Sequence, residues 1–203
     1  MAERETALPV ELVLRDGTPA MIWPLLPTDA ENLKHAFDEL SPRSRRLRFL
    51  GPITQLDHAM IHLLVEAVDQ RHHIAIVLVA FPDDELERPV GVARLVQLED
   101  DPTTADFAVT VIDEWQGQGA GAALTSTLVS LRPAEVTRLA TAVAAGNEPS
   151  LAMLRRLGSM TTRPSYPGVL EVVVSDLSDP HVVIATPPSD KSADSSGQEP
   201  QPS

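Results

Sequence analysis

Asp106-Phe-Ala-Val-Thr-Val-Ile-Asp-Glu-Trp-Gln-Gly-Gln-Gly-Ala-Gly121 is the stretch that decides the fold. It opens as a strand over residues 105–112. Phe107, Val109 and Val111 share one face, and Asp106, Ala108 and Thr110 the other, at the two-residue period of a strand. A turn follows with glycine at 117, 119 and 121, then an apolar helix over 120–131 that Arg132-Pro133 ends. Glycines let backbone N–H groups approach an anion with no Cβ in the way. The helix start adds free N–H groups and the positive end of its dipole. Together these form a phosphate cradle. A P-loop would need Gly-Lys-Ser/Thr, and no Lys follows here. A Rossmann fingerprint runs Gly-x-Gly-x-x-Gly, whereas this spacing is Gly-x-Gly-x-Gly on a strand that is not the first in the chain. Both of those nucleotide readings are weak.

Outward from that stretch, strand and helix signals alternate. Residues 10–14 read as a first strand with Asp16-Gly17 as its turn signal. Residues 21–26 make a second extended piece between prolines. Thr28 with Glu31 reads as a capping box opening a helix whose inward face is Leu33, Ala36, Phe37 and Leu40. Ser41-Pro42 stops it. A second helix is expected over 56–68, with Leu56, Met60, Leu63, Leu64 and Ala67 inward. Residues 73–80 are nearly all apolar and β-branched, which predicts a central strand. Strands follow over 90–98 and 139–145, a short helix over 150–157 with Gly158 as its C-terminal cap, and a last strand over 169–174. This order predicts an α/β or α+β domain with a mixed sheet.

The 203 residues suit one domain, expected over 1–185. Residues 186–203 are rich in Pro, Ser, Asp and Gln and read as a disordered acidic tail. Sixteen Lys+Arg against 29 Asp+Glu give a net charge of −13. The tail carries −2 of it, so the acidity belongs to the domain. Such a chain is a poor binder of phosphate backbones and attracts cationic partners such as amines or lysine-rich proteins. Aromatics at 3% leave little for a base-stacking platform, so no nucleic acid is expected. With no cysteine, disulfides, thiol nucleophiles and thiolate metal sites are excluded. Neither a secretory signal nor a membrane-length apolar run is visible, so a cytoplasmic protein is expected.

The pattern Gln116-x-x-Gly119-x-Gly121 resembles the pyrophosphate loop of the GNAT superfamily of N-acetyltransferases. Leu14-Arg-Asp-Gly, Ser41-Pro-Arg-Ser-Arg with Phe49, Val90-Gly-Val-Ala-Arg, Trp115-Gln-Gly and Asn147 through Gly158 fall in the superfamily's order. The set is most similar to the catalytic domain of bacterial protein lysine acetyltransferases. The resemblance implies a GNAT fold: a mixed, mostly antiparallel sheet, splayed at its centre, with flanking helices. It implies acetyl-CoA as donor substrate, without a metal. Val109, Thr110 and Val111 would meet the pantetheine arm through backbone groups. Gln116, Gly117, Gln118, Gly119, Ala120, Gly121 and Ala122 would take the pyrophosphate, and Asn147 would contact the arm or start a helix.

Acetyl transfer to an amine needs a neutral nucleophile, and a lysine ammonium has a pKa near ~10.4, so a base must take a proton. The resemblance gives that place to Asp106, one methylene shorter than the Glu common there; otherwise Asp106 is a solvated strand-start acid. Gln118 stands where Arg is common. Leu154 stands where a Tyr often reprotonates the thiolate, and nothing in the sequence places Tyr166, the chain's one phenol, there. His58 and His62 have metal-ligand spacing but fit a solvated helix face better. Arg43, Arg45, Arg46 and Arg48 form the one basic patch, for ion pairs, a CoA phosphate or a partner. The leading expectation is direct acetyl transfer to a primary amine, with protein lysine favoured. A small amine acceptor and a non-catalytic acetyl-CoA-binding module are the alternatives, and homo-oligomerisation is left open.

Overall fold

The computed structural model describes residues 8–82 and 86–177. The expected tail, and the domain boundary at 185, lie outside the described residues. Eight strands form one sheet: β1 (Val10–Val13), β2 (Pro19–Pro24), β3 (His73–Ala80), β4 (Arg88–Gln97), β5 (Thr104–Val111), β6 (Arg138–Ala144), β7 (Ser159–Pro164) and β8 (Val169–Ser175). Their order is β1-β2-β3-β4-β5-β6-β8-β7, and only the β5–β6 pair is parallel. This is the mixed, mostly antiparallel sheet expected from the sequence.

β3 is the spine. All eight of its residues are buried, because both faces are covered. Ile74, Ile76, Leu78 and Ala80 join one core with Leu124, Leu128 and Val129 of helix α4 (Ala120–Ser130). Ala75, Val77 and Val79 join a second core with Leu25 and Val65. A strand apolar at every position after His73 is therefore a strand with two cores, not one.

Four local readings change. Ser41-Pro42 ends helix α1 (Ala30–Asp38) but also opens α2 (Pro42–Phe49). Ser41 Oγ accepts the Ser44 N–H at 3.2 Å, and proline at the first helical position forfeits no helical hydrogen bond. The Thr28 capping box is absent. Asp29 instead accepts the Leu26 N–H at 2.8 Å, while Glu31 pairs with Lys34. The 56–68 helix is a single turn, α3 (His58–Ile61), capped by Asp57 and continued by a π-turn. Ile61 and Val65, four apart, are the buried pair there, and Leu63 is 55% exposed. Helix α5 (Glu148–Leu154) ends before Gly158. That glycine does not cap it: an added Cβ would collide with the Ser175 carbonyl oxygen, so a close backbone approach requires Gly.

β7 was not legible at all. It is almost wholly exposed on the edge of the sheet and shows no alternation of apolar residues.

Candidate acetyl-transfer site

β5 is paired along one edge and half-paired along the other. It runs beside β4 from Ala105 to Val111. Its register with β6 covers only Thr104, Ala105 and Asp106, opposite Arg138, Leu139 and Ala140. Beyond that point β6 leans toward β8, which it pairs as far as Ala144. The two parallel strands thus splay from Asp106 onward. The Ile112 N–H donates to the Val90 carbonyl at 2.9 Å. By the alternation of an antiparallel ladder, Ala108 and Thr110 turn their backbone groups to β4. Phe107, Val109 and Val111 turn theirs into the splay. Gln116 Nε2 donates to the Val111 carbonyl at 3.0 Å, closing the end of that edge. Val109 and Val111 pack their side chains against the α4 core. Thr110 differs: its backbone faces β4 and its side chain lines a pocket on the opposite face.

The glycine turn begins beside Val111. Gly117 has φ +79° and Gly119 φ +95°, conformations that L side chains rarely adopt. Neither is crowded; backbone conformation alone demands glycine there. Gly121 lies inside α4, with an added Cβ in ordinary contact at 3.8 and 3.9 Å, so alanine would fit. Gly119 is the N-cap of α4 and accepts the Ala123 N–H at 3.0 Å. The N–H groups of Ala120, Gly121 and Ala122 have no acceptor within the helix.

Sequence reading missed Arg15. Its guanidinium donates to the Gly117 carbonyl at 3.1 Å, and its backbone N–H donates to the Gln118 carbonyl at 3.0 Å. In a trans peptide the N–H points opposite to the C=O. Holding those two carbonyls on one side therefore presents the Gln118 and Gly119 N–H groups on the other. Arg15 also brings a cation to a loop that has Gln118 in place of the usual Arg. The two residues are 103 positions apart, and only the Leu14-Arg-Asp-Gly motif hinted at a role. The loop N–H groups, the helix start and this cation fit a pyrophosphate, and the open edge of β5 fits an amide-bearing arm.

Asp113 ties the loop to α2. It accepts from the Ser41 N–H at 3.0 Å, Ser41 Oγ at 2.7 Å and Ser44 Oγ at 2.8 Å. Partial burial pushes its pKa up, but these hydrogen bonds outweigh burial and hold the carboxyl below its ordinary value. Asn147 spends its side-chain oxygen capping α5, at 3.4 Å from the Ser150 nitrogen. It stands just past β6, at the open end of the splay. Leu154 is buried in the core. Tyr166 is 75% exposed in the β7–β8 turn, which the Ala145-to-Gly168 hydrogen bond holds beside the end of β6.

The other face of β5 carries Asp106, Ala108 and Thr110. Ala108 and Thr110 line a pocket of about 240 Å³ walled by Trp23, Phe37, Phe49 and Val77. Arg48 and Arg94 also line it. Burial pushes Arg48 down to about 10, helped by the nearby Arg94 charge and opposed by Asp106. Arg94 is also lowered by burial and supported by Asp106. The basic patch is thus divided. Arg45 bonds the carbonyls of Leu40, Thr54 and Asp38 and covers the Phe37 ring, a structural staple, while Arg48 enters the pocket. His62 pairs with Glu66 at 2.8 Å. Among the described residues no group of three His, Cys, Asp or Glu side chains is arranged to hold a metal ion.

A sheet splayed after Asp106, with a glycine cradle at the open end, defines an acyl-CoA-using transferase fold. The family model for the acetyltransferase (GNAT) family matches residues 37–159, and the chain belongs to that family. It is 33% identical over 118 residues to acetyltransferase PA5475 of Pseudomonas aeruginosa, covering 58% of this chain and 62% of that protein. It is 29% identical over 175 residues to acetyltransferase Pat of Mycolicibacterium smegmatis, covering 86% of this chain and 50% of that one. The chain therefore spans about half to three-fifths of these relatives. Among solved structures, the GNAT domain of S. lividans PAT superimposes with a TM-score of 0.71 at 23% identity, covering 85% of this chain and 99% of that one. A cAMP-binding acyltransferase from Mycobacterium smegmatis gives 0.56 at 24% identity, over 89% and 50%. At these identities the structural matches speak to the fold. No helix among the described residues is long and apolar enough to cross a membrane.

Proposed function

We propose that this acetyltransferase moves the acetyl group of acetyl-CoA directly to a primary amine, with a protein lysine as the favoured acceptor. The observation that carries this is the two-faced β5. One edge and the loop beyond it offer backbone donors for the donor's arm and pyrophosphate. The face bearing Asp106 opens toward a pocket for the acceptor. Acetyl-CoA supplies an activated thioester carbonyl. The amine nitrogen bonds to that carbonyl carbon, the carbon–sulfur bond breaks, and the sulfur leaves as thiolate. A β5 backbone N–H at Val109 or Val111 steadies the oxygen as it gains charge. Asp106 accepts the amine proton, directly or through a water. With no cysteine in the sequence, an acetyl-cysteine intermediate on this chain is excluded.

The lysine acceptor draws its support from the relatives named Pat and from the acidity of the chain, which attracts lysine-rich surfaces. Incubation of candidate proteins with acetyl-CoA, followed by mass spectrometry, tests it. Acetyl-lysine on a protein is expected. Robust transfer to small amines with none to any protein lysine would end the protein-acceptor reading and keep the transferase.

A further inference from the structure

The pocket on the Asp106 face is walled mostly by apolar side chains, with Asp29, Asn32, Glu87 and Thr110 at its polar positions and two arginines, Arg48 and Arg94, whose donors are largely unused. Each guanidinium carries five N–H donors in a planar fork. Arg94 makes one long bond, 3.5 Å to the Leu63 carbonyl, and its Nε is buried with no partner. Arg48 stacks 4.9 Å from the centre of the Phe49 ring and makes no hydrogen bond among the described residues. Arg45, on the same helix, bonds three carbonyls; the contrast shows that α2 can satisfy an arginine where the fold requires it. Asp29 and Glu87 line the pocket too, but Asp29 accepts the Leu26 N–H and, among the described residues, neither forms an ion pair with Arg48 or Arg94 within 4 Å. Asp106 shares the face and its charge reaches both arginines, yet it forms no ion pair within 4 Å among the described residues. Both side chains are half-buried, and a guanidinium fork with unused donors matches a carboxylate through two parallel bonds.

We propose that Arg48 and Arg94 form a recognition site for a carboxylate carried by the acceptor, close to its reactive amine. A carboxylate is planar and takes two parallel N–H bonds from one guanidinium, and its single charge adds less than a phosphate dianion would to a pocket that already holds Asp29 and Glu87. The aromatic walls take the carbon chain between the two polar groups. The site also resolves a conflict within the transferase reading on which it rests. Two guanidiniums repel an ammonium and so favour the neutral amine, which is the nucleophile. The carboxylate supplies the attraction that the ammonium cannot. Its source is either a free amino acid or an acidic residue beside the target lysine.

Two matched acceptor pairs test this on the full chain: lysine against lysinamide, and short peptides with lysine flanked by Glu against Gln. At least a tenfold larger kcat/KM for the carboxylate member of one pair is expected. The pair that shows it names the source. Arg94→Gln and Arg48→Gln should each bring that ratio toward one while CoA affinity stays at the wild-type value. Arg94→Lys, which keeps the charge but loses the fork, should restore part of it. Ratios within twofold for both wild-type pairs would overturn the proposal and leave the transferase reading standing. Independently of turnover, 6-aminohexanoate should raise the melting temperature of the wild type more than hexylamine does, and should lose that advantage in Arg94→Gln. If no amine is acetylated but this shift appears, the carboxylate site stands and the transferase reading falls. Equal shifts with both probes overturn the site.

Discussion

Gly91→Ala asks whether the helix that presents the cradle is held at its working height by a missing methyl group. Gly91 lies on β4 opposite Val111, beneath α4. A Cβ there would sit 2.9 Å from Leu124 Cδ1, 3.0 Å from the Thr110 carbonyl oxygen and 3.3 Å from Val111 Cγ2. The leucine end can rotate, but Leu124 is fully buried and has little free space to enter. The Thr110 oxygen is backbone in the strand that bounds the site, so it can move only with that strand. Overpacking of this kind costs about 1–3 kcal/mol. Relief of glycine's unfolded-state entropy returns roughly 0.5–1 kcal/mol. A net loss of about 1–2 kcal/mol is expected, which for a chain of this size lowers Tm by about 2–8 °C. Because the contact lies between α4 and β5, CoA affinity should fall as well, by roughly threefold to tenfold, on the order of 1 kcal/mol. Thermal denaturation and calorimetric titration with CoA read both effects. Gly121→Ala is the control, since its added Cβ meets nothing closer than 3.8 Å. A Gly91→Ala protein that melts with the wild type and binds CoA within twofold of it would refute the reasoning.

Other outcomes follow from the same geometry. Asp106→Ala should lower kcat by about a hundredfold, the ordinary yield of a general base, and the loss should shrink as pH rises and more amine is already neutral; full turnover across the pH range would remove Asp106 from the chemistry. Arg15→Ala should weaken CoA binding about fivefold, roughly 1 kcal/mol, with kcat unchanged at saturating donor; since Arg15 is exposed, Tm should stay put, and unchanged affinity would mean the loop holds its N–H groups unaided. The Asp113 carboxyl sits below its ordinary value, so its stabilising effect is full above the unfolded pKa near ~3.9 and disappears as pH falls through the lower folded value. Acid titration followed by amide exchange at Ser41 should show α2 loosening at or below about pH 4, and Asp113→Asn should flatten that dependence.

What could be read in advance was whatever rested on burial or on backbone conformation. β3 announced itself because eight consecutive apolar residues have no other use in a chain without a membrane-length run. The strand, glycine turn and helix start were legible because positive φ leaves a glycine signature. Side chains that act across the sheet left no such mark. Arg15 reaches the loop from the far end of the chain, and Arg94 appeared only as the last letter of a motif. Helix α2 reads Pro42-Arg-Ser-Arg-Arg-Leu-Arg-Phe49, with no apolar stripe to reveal it; its cap and its arginine contacts hold it instead. β7 is exposed along its length, so nothing in its pattern needed to be apolar.

The half-paired edge of β5 has one more consequence. Unpaired strand edges usually lie at the rim of a sheet, where any passing polypeptide can dock and start aggregation. Here the edge lies in the interior, with β6 and β8 standing across from it as a wall. A folded neighbour cannot bring a whole strand into that cleft, but a slender chain carrying spaced amides can. An edge that would invite strand addition at the rim of the sheet is screened from it here by β6 and β8.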